Sequence, residues 1–230
     1  MAELIVALDL PDGRSALALT ERLPELRWVK IGPVLYVREG PALVRTFTQR
    51  GIAVFLDLKW HDIPNTVSGA VAAARDLGVT MATVHALGGA AMLRAAVEAA
   101  GEAVGIVGVT VLTSHDAGTF SETLGRGVPD LGSEAVRLAR LAVRAGLRGV
   151  VASGHEVDLV RRAVGPDPWI VVPGVRLAGD ASGDQIRVVE PGDAVRRGAT
   201  HLVVGRTITA ASDPVAAYTR VREAMWSPVA

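Results

Sequence analysis

Asp57-Leu58-Lys59-Trp60-His61-Asp62-Ile63-Pro64-Asn65-Thr66 carries the densest chemistry in the chain, directly after the apolar run Ala53 to Leu56. Residues two apart on an extended strand share a face, so Asp57 and Lys59 are expected to point together while Leu58 packs the other way. Asp62 then falls in a turn, and Pro64-Asn65 opens a helix. Carboxylates flanking an ammonium favour its charged form, so Asp57 and Asp62 around Lys59 describe an amine held ready to give a proton. The same Asp57 would repel a substrate carboxylate set beside it in a water-poor site, and departure of CO2 would relieve that repulsion. An isolated D-x-K is equally well a structural ion pair at a strand end. His61, a lone histidine in a loop, reads as packing or capping rather than as a base.

Other polar residues stand where apolar runs end. Asp9 closes Ala7-Leu8-Asp9, and Lys30 lies in Trp28-Val29-Lys30-Ile31-Gly32. Each is a rim charge when read alone; as part of the site, Lys30 would reach the carboxylates or a sugar hydroxyl, and Asp9 would accept from sugar hydroxyls. Thr113 either holds a ligand or caps the following helix, and the cap is the plainer reading. His85 reads as part of an inward polar layer. Pro173-Gly174-Val175-Arg176 and Val204-Gly205-Arg206-Thr207-Ile208 suit an oxyanion: glycines let backbone N–H groups approach, a helix N-terminus adds positive potential, and Arg176 and Arg206 bring forked donors. Between them, the polar, Gly-rich stretch Leu177 to Glu190 holds Asp184-Gln185. It could close over a ligand, with Gln185 meeting a phosphate, or be a surface loop.

Elements able to bring these residues together alternate along the chain. Candidate strands are Leu4 to Leu8, Trp28 to Ile31, Ala53 to Leu58, Met81 to Val84, Gly105 to Val111, Gly149 to Ala152, Trp169 to Val172 and His201 to Val204. Amphipathic stretches such as Ser15 to Leu23, Asn65 to Leu77, Ala90 to Ala100, Glu134 to Ala145 and Val215 to Met225 supply helical crossovers. Gly51, Gly78, Gly146 and Gly198 stand where helices should end in a left-handed residue. Eight such units can lie open as a doubly wound sheet or close as a barrel. Asp9, Lys30, Asp57 with Lys59, His85, Thr113, Ser153 and Arg206 sit at the C-terminal ends of nearly all the strands. A barrel gathers those ends around one mouth, so the expected fold is α/β, a single (β/α)8 TIM barrel. At 230 residues, with no linker or low-complexity tract, residues 1–230 are expected to form one domain.

Composition removes other classes. Lys plus Arg equals Asp plus Glu at 24 each, so no global field holds a nucleic acid or an acidic membrane surface. There is no Cys, which excludes disulfides, thiolate metal sites and a cysteine nucleophile. No apolar stretch suits a secretory signal or a membrane span, and a cytoplasmic protein is expected. Aromatics are only 4%, so small aliphatic side chains must fill the interior.

The segment D-L-K-W-H-D-I-P-N-T resembles the signature of the orotidine 5′-monophosphate decarboxylase family, and Asp9, Lys30, L-T-S, P-G-V-R, D-Q and V-G-R follow in the matching order from about residue 3 to residue 225. This resemblance implies decarboxylation of orotidine 5′-monophosphate to uridine 5′-monophosphate, the last step of pyrimidine synthesis, with no metal and no organic cofactor. It makes Lys59 the proton donor, Asp57 the carboxylate beside the substrate's carboxyl group, Lys30 the lysine completing the charged array and Asp9 a ribose ligand. Gln185, Arg176, Gly205 and Arg206 are similar to the family's phosphate grip, and Thr113 to a ligand-contacting threonine. Asp62, Ile63 and Thr66 correspond to residues contributed across a homodimer interface. Trp60 stands where another aromatic is common, and Ile186 where a basic residue is frequent. Two other readings remain: a Mg2+-dependent sugar-phosphate decarboxylase or aldolase sharing D-x-K-x-x-D, and a catalytically silent barrel that binds a phosphate ligand.

Overall fold

The apolar runs form β1 (Glu3–Ala7), β2 (Trp28–Ile31), β3 (Ala53–Trp60), β4 (Met81–His85), β5 (Gly105–Val109), β6 (Gly149–Val151), β7 (Trp169–Val172) and β8 (His201–Val204). The computed structural model describes residues 1–128, 130–177 and 188–226. In it the strands pair in parallel in chain order, and β8 returns to β1 to close the barrel. The expected (β/α)8 fold is thus the one observed. β2, β7 and β8 have the expected limits. β5 stops at Val109 rather than Val111; at Thr110 both the backbone N–H and the hydroxyl donate to the Val151 carbonyl, at 3.2 and 2.9 Å.

Around the barrel run α1 (Gly13–Thr20), α2 (Pro33–Gln49), α3 (Pro64–Asp76), α4 (Gly89–Ala100), α5 (Ala117–Leu124), α6 (Leu131–Arg144), α7 (Val157–Val164), α8 (Pro191–Arg196), α9 (Arg206–Thr209) and α10 (Pro214–Ala224). Asp12, Asp116, Asp130 and Asp213 accept backbone N–H bonds that start α1, α5, α6 and α10. Gly51, Gly78, Gly146 and Gly198 have φ of 74, 78, 95 and 104°, as their positions after helices require. Periodicity alone does not reveal α2, since Gly40 (φ 63°) and Pro41 break it into two segments across a kink.

Apolar side chains occupy two layers. Val6, Val29, Leu56, Val84 and Ile170 are among those facing the helices. Ile5, Ala7, Phe55, Met81, Val107, Val171 and Val203 fill the barrel. Each such Val or Leu contributes roughly 1.5–3 kcal/mol when fully buried. Trp28 and Trp169 close the N-terminal end around His201, with ring centroids 5.4 and 4.9 Å from the imidazole. A methyl group on Gly105 would overlap the Trp169 ring, and one on Gly149 would overlap the Trp169 backbone and Cβ, so these strand glycines let β7 and its large ring approach closely. Burial, and then the nearby Arg148, push the His201 pKa down to about 4. These side chains pack the barrel interior, and the cavity that holds the charged strand ends opens at the opposite, C-terminal end. Among the described residues, no helix is long and apolar enough to cross a membrane.

Candidate active site

The geometry of the site begins with a fault in β3. Leu56 pairs with Ala82 but Trp60 pairs with Val84, so β3 advances four residues while β4 advances two. The surplus bulges, as strands do beside functional sites. Lys59 takes φ 51°, a left-handed conformation that costs a non-glycine residue on the order of 1 kcal/mol or more. Simple alternation therefore gave the right neighbours for an incomplete reason: Lys59 meets Asp57 through a bulge, not along a regular strand. Leu58 packs against the outer apolar layer as expected.

Thr83, in the middle of β4, bridges the fault. The Lys59 N–H donates to Thr83 Oγ1 at 2.8 Å, and Thr83 Oγ1 donates to Asp57 Oδ1 at 3.1 Å. Sequence reasoning missed this residue. Its signal is a hydroxyl two positions before His85 in an otherwise apolar run, on the inward period of the strand.

Charges alternate from this point across the mouth. Lys59 Nζ lies 2.9 and 3.0 Å from Asp57 Oδ1 and Oδ2. Lys30 Nζ lies 3.6 Å from Asp57 Oδ2 and 3.1 Å from Asp9 Oδ1. Asp57 and Lys30 are nearly covered, whereas Asp9 and part of Lys59 face solvent. A Cβ at Gly32 would stand 3.1 Å from Lys30 Nζ and 3.4 Å from Asp9 Oδ1, so the missing side chain keeps that pair together.

These groups line one side of a cavity of about 410 Å³. Its floor is apolar, made by Ala7, Phe55, Val109, Val151 and Val203, and its other side carries Thr113, Gly174, Arg176, Gly205 and Arg206. Gly174 has φ 74°, which lets the chain turn at the end of β7. Arg176 is buried, with its guanidinium donating to the Val175 carbonyl at 2.9 Å. Arg206 is exposed at the start of α9. Thr113 is not the helix cap its position suggested: Asp116 caps α5, and Thr113 faces the cavity. A parallel bridge from Val175 to Val189 draws together the two ends of the stretch containing Gln185. Gln185 and Ile186 lie outside the described residues.

Asp62, Ile63 and Thr66 do not join this cavity within the chain. All three are exposed, and Asp62 Oδ1 accepts the Ile63 N–H at 2.6 Å. Lys59 pairs with Asp57, so the expectation that Asp62 flanks the ammonium locally is not met by one chain alone. Asp62 and Ile63 border a shallow depression with His61, Pro64, Leu87 and Gly88. His85 ends β4 stacked on His61, with ring centroids 5.4 Å apart. Its buried Nδ1 has no hydrogen-bond partner, and burial, followed by the fields of His61, Lys59 and His115, lowers its pKa to about 4. A neutral imidazole in the polar layer agrees with the packing role read for it. Among the described residues, no three His, Asp or Glu side chains are grouped to hold a metal ion.

Chemically, the arrangement offers a lysine ammonium clamped beside a carboxylate that cannot easily turn away, above an apolar floor and across from two arginines. The family profile for "Orotidine 5′-phosphate decarboxylase / HUMPS family" matches residues 2–221. The chain is 51% identical over 224 residues to an orotidine 5′-phosphate decarboxylase of Alkalilimnicola ehrlichii, covering 96% of this chain and 94% of the relative. It is 54% identical over 219 residues to one of Halorhodospira halophila, covering 93% and 92%. The crystal structure of orotidine 5′-phosphate decarboxylase from Lactobacillus acidophilus superposes with a TM-score of 0.87 at 33% identity, covering 99% of this chain and all of that one.

Proposed function

We propose that this chain, which belongs to the orotidine 5′-phosphate decarboxylase / HUMPS family, decarboxylates orotidine 5′-monophosphate to uridine 5′-monophosphate in pyrimidine biosynthesis, without a metal or an organic cofactor. The observation that carries the reading is the alternating array Asp9, Lys30, Asp57, Lys59 over an apolar floor. An orotate carboxylate directed at Asp57 meets a like charge held in place by two lysines and Thr83. The C–CO2 bond breaks, its electron pair stays on the ring carbon, and Lys59 Nζ delivers a proton there as CO2 leaves. The ammonium also stabilises the carbanion while it forms, which lowers the barrier more than it tightens substrate binding. Water restores the proton on Lys59.

The remainder of the nucleotide supplies binding. Arg206, Gly205 and Arg176, with Gln185, hold the phosphate; Asp9 and Lys30 bind the ribose hydroxyls; Thr113 meets the ligand between them. Contacts remote from the breaking bond can hold the carboxylate against Asp57. The active form is a homodimer in which Asp62, Ile63 and Thr66 enter the partner's cavity. Their outward position supports this, as does the exposure of Ile63. The test is loss of orotidine 5′-monophosphate absorbance by the purified protein in EDTA. Sustained turnover is expected, whereas turnover that appears only on adding Mg2+, or binding without turnover, overturns the reading.

A further inference from the structure

We infer that Thr83 is a positioning residue for this reaction, joining the backbone bulge that aims Lys59 to the carboxylate orientation of Asp57; the inference rests on the decarboxylase reading. Thr83 is completely buried, and its neighbour across the β4–β5 ladder is the apolar Val107. A hydroxyl there needs partners, and it has two from the same short segment of β3. Hydrogen bookkeeping sets its orientation. The Lys59 amide brings its own proton to Oγ1, so Oγ1 must accept at 2.8 Å, and the single hydroxyl proton is left for Asp57 Oδ1 at 3.1 Å.

One side chain thus holds two things the chemistry needs. The bulged Lys59 amide has a partner where the β3–β4 ladder has lost register. Asp57 Oδ1 is held on the side opposite the entry of Lys30 to Oδ2. Without the hydroxyl, the carboxylate keeps its two lysines but loses the bond that ties Oδ1 to β4, and the bulge that sets the Lys59 side chain loses its bond to the same strand. Misplacing a reacting group by about 1 Å costs on the order of 100-fold in rate. Thr83 touches neither the phosphate side nor the ribose side of the cavity, so its effect belongs in kcat.

Three variants test this by steady-state decarboxylation, with binding of uridine 5′-monophosphate by calorimetry and thermal melts alongside. Thr83→Val keeps the side chain's shape and removes the hydroxyl; kcat is expected to fall about 100-fold while KM and product affinity stay within about threefold. Thr83→Ser restores the hydroxyl and is expected to keep kcat within about fivefold of the starting protein. A Thr83→Val protein with unchanged kcat, or a Thr83→Ser protein as impaired as Thr83→Val, overturns the inference. Should Thr83→Val fail to fold, Thr83→Ser against Thr83→Cys makes the comparison by one atom, since a thiol is a weak hydrogen-bonding group. Lower kcat in the Cys variant supports the role, and equal kcat overturns it. Absence of decarboxylation by the unsubstituted protein overturns both readings together, whereas its turnover beside an unimpaired Thr83→Val protein overturns this inference alone.

Discussion

Replacing Lys59 by alanine separates catalysis from stability and from binding, because the structure assigns each a different set of contacts. The substitution removes the ammonium 2.9 Å from Asp57 Oδ1. Asp57 is not left unpaired: Lys30 remains at 3.6 Å from Oδ2 and the Thr83 hydroxyl at 3.1 Å from Oδ1. Lys59 is partly open to solvent, so its loss seals no cavity, and the lost pair is discounted to about 1 kcal/mol or less. For a chain of this size that lowers Tm by roughly 2–4 °C. The effect on turnover is far larger. A missing proton donor costs about 10²–10⁴, and a missing charge at the carbanion about 10²–10³. Together they raise the barrier by roughly 5–10 kcal/mol. Because Arg176 follows β7 and Gly205 and Arg206 follow β8, on the other side of the cavity from Lys59, affinity for uridine 5′-monophosphate is expected to change by less than about tenfold. Single-turnover absorbance of orotidine 5′-monophosphate, calorimetry with the product and a thermal melt read the three quantities. A variant retaining a tenth of the rate refutes the assignment of Lys59, and loss of product binding in step with activity refutes the separation.

Further expectations follow from the same geometry. If Asp62 acts in the partner's cavity, Lys59→Ala and Asp62→Ala proteins are each inactive, and mixing them regenerates one intact site per mixed dimer; no activity on mixing counts against sharing. His201 and His85 have pKa values near 4 in the folded protein against 6.5 for the free side chain, so the unfolded chain binds more protons between those values. Their contribution is fully present above about pH 6.5 and is lost as pH falls toward 4. Urea melts should show stability dropping across that window, and His201→Gln should flatten the drop if it also folds. Gly105→Ala drives a methyl group into Trp169 and should cost about 1–3 kcal/mol with little effect on kcat; an unchanged melt would refute the tight packing of the barrel's closed end.

The barrel was legible because its physics is local and repeated. Apolar runs of strand length, helical stretches between them and glycines at helix ends recur, and only a parallel arrangement buries both faces of such strands. The kinked α2 was hidden because Gly40 and Pro41 interrupt its period. Asp9, Lys30, Asp57 and Lys59 could be gathered in advance because each ends a strand, and a closed barrel brings strand ends to one rim. Thr113 was ambiguous for a local reason as well, since a hydroxyl before a helix suits a cap until Asp116 is seen to fill that role.

Sequence alone therefore determined which elements form, which residues stand at the mouth and, through the resemblance carried by residues 57 to 66, the family. Tertiary structure decided how those residues meet. The β3 bulge, the left-handed Lys59, the bridge made by Thr83 and the outward position of Asp62 depend on register between strands and on side chains far apart in the chain. A hydrogen bond from residue 83 to residue 57 leaves no periodic mark in either segment, because it is set only when the two strands pair.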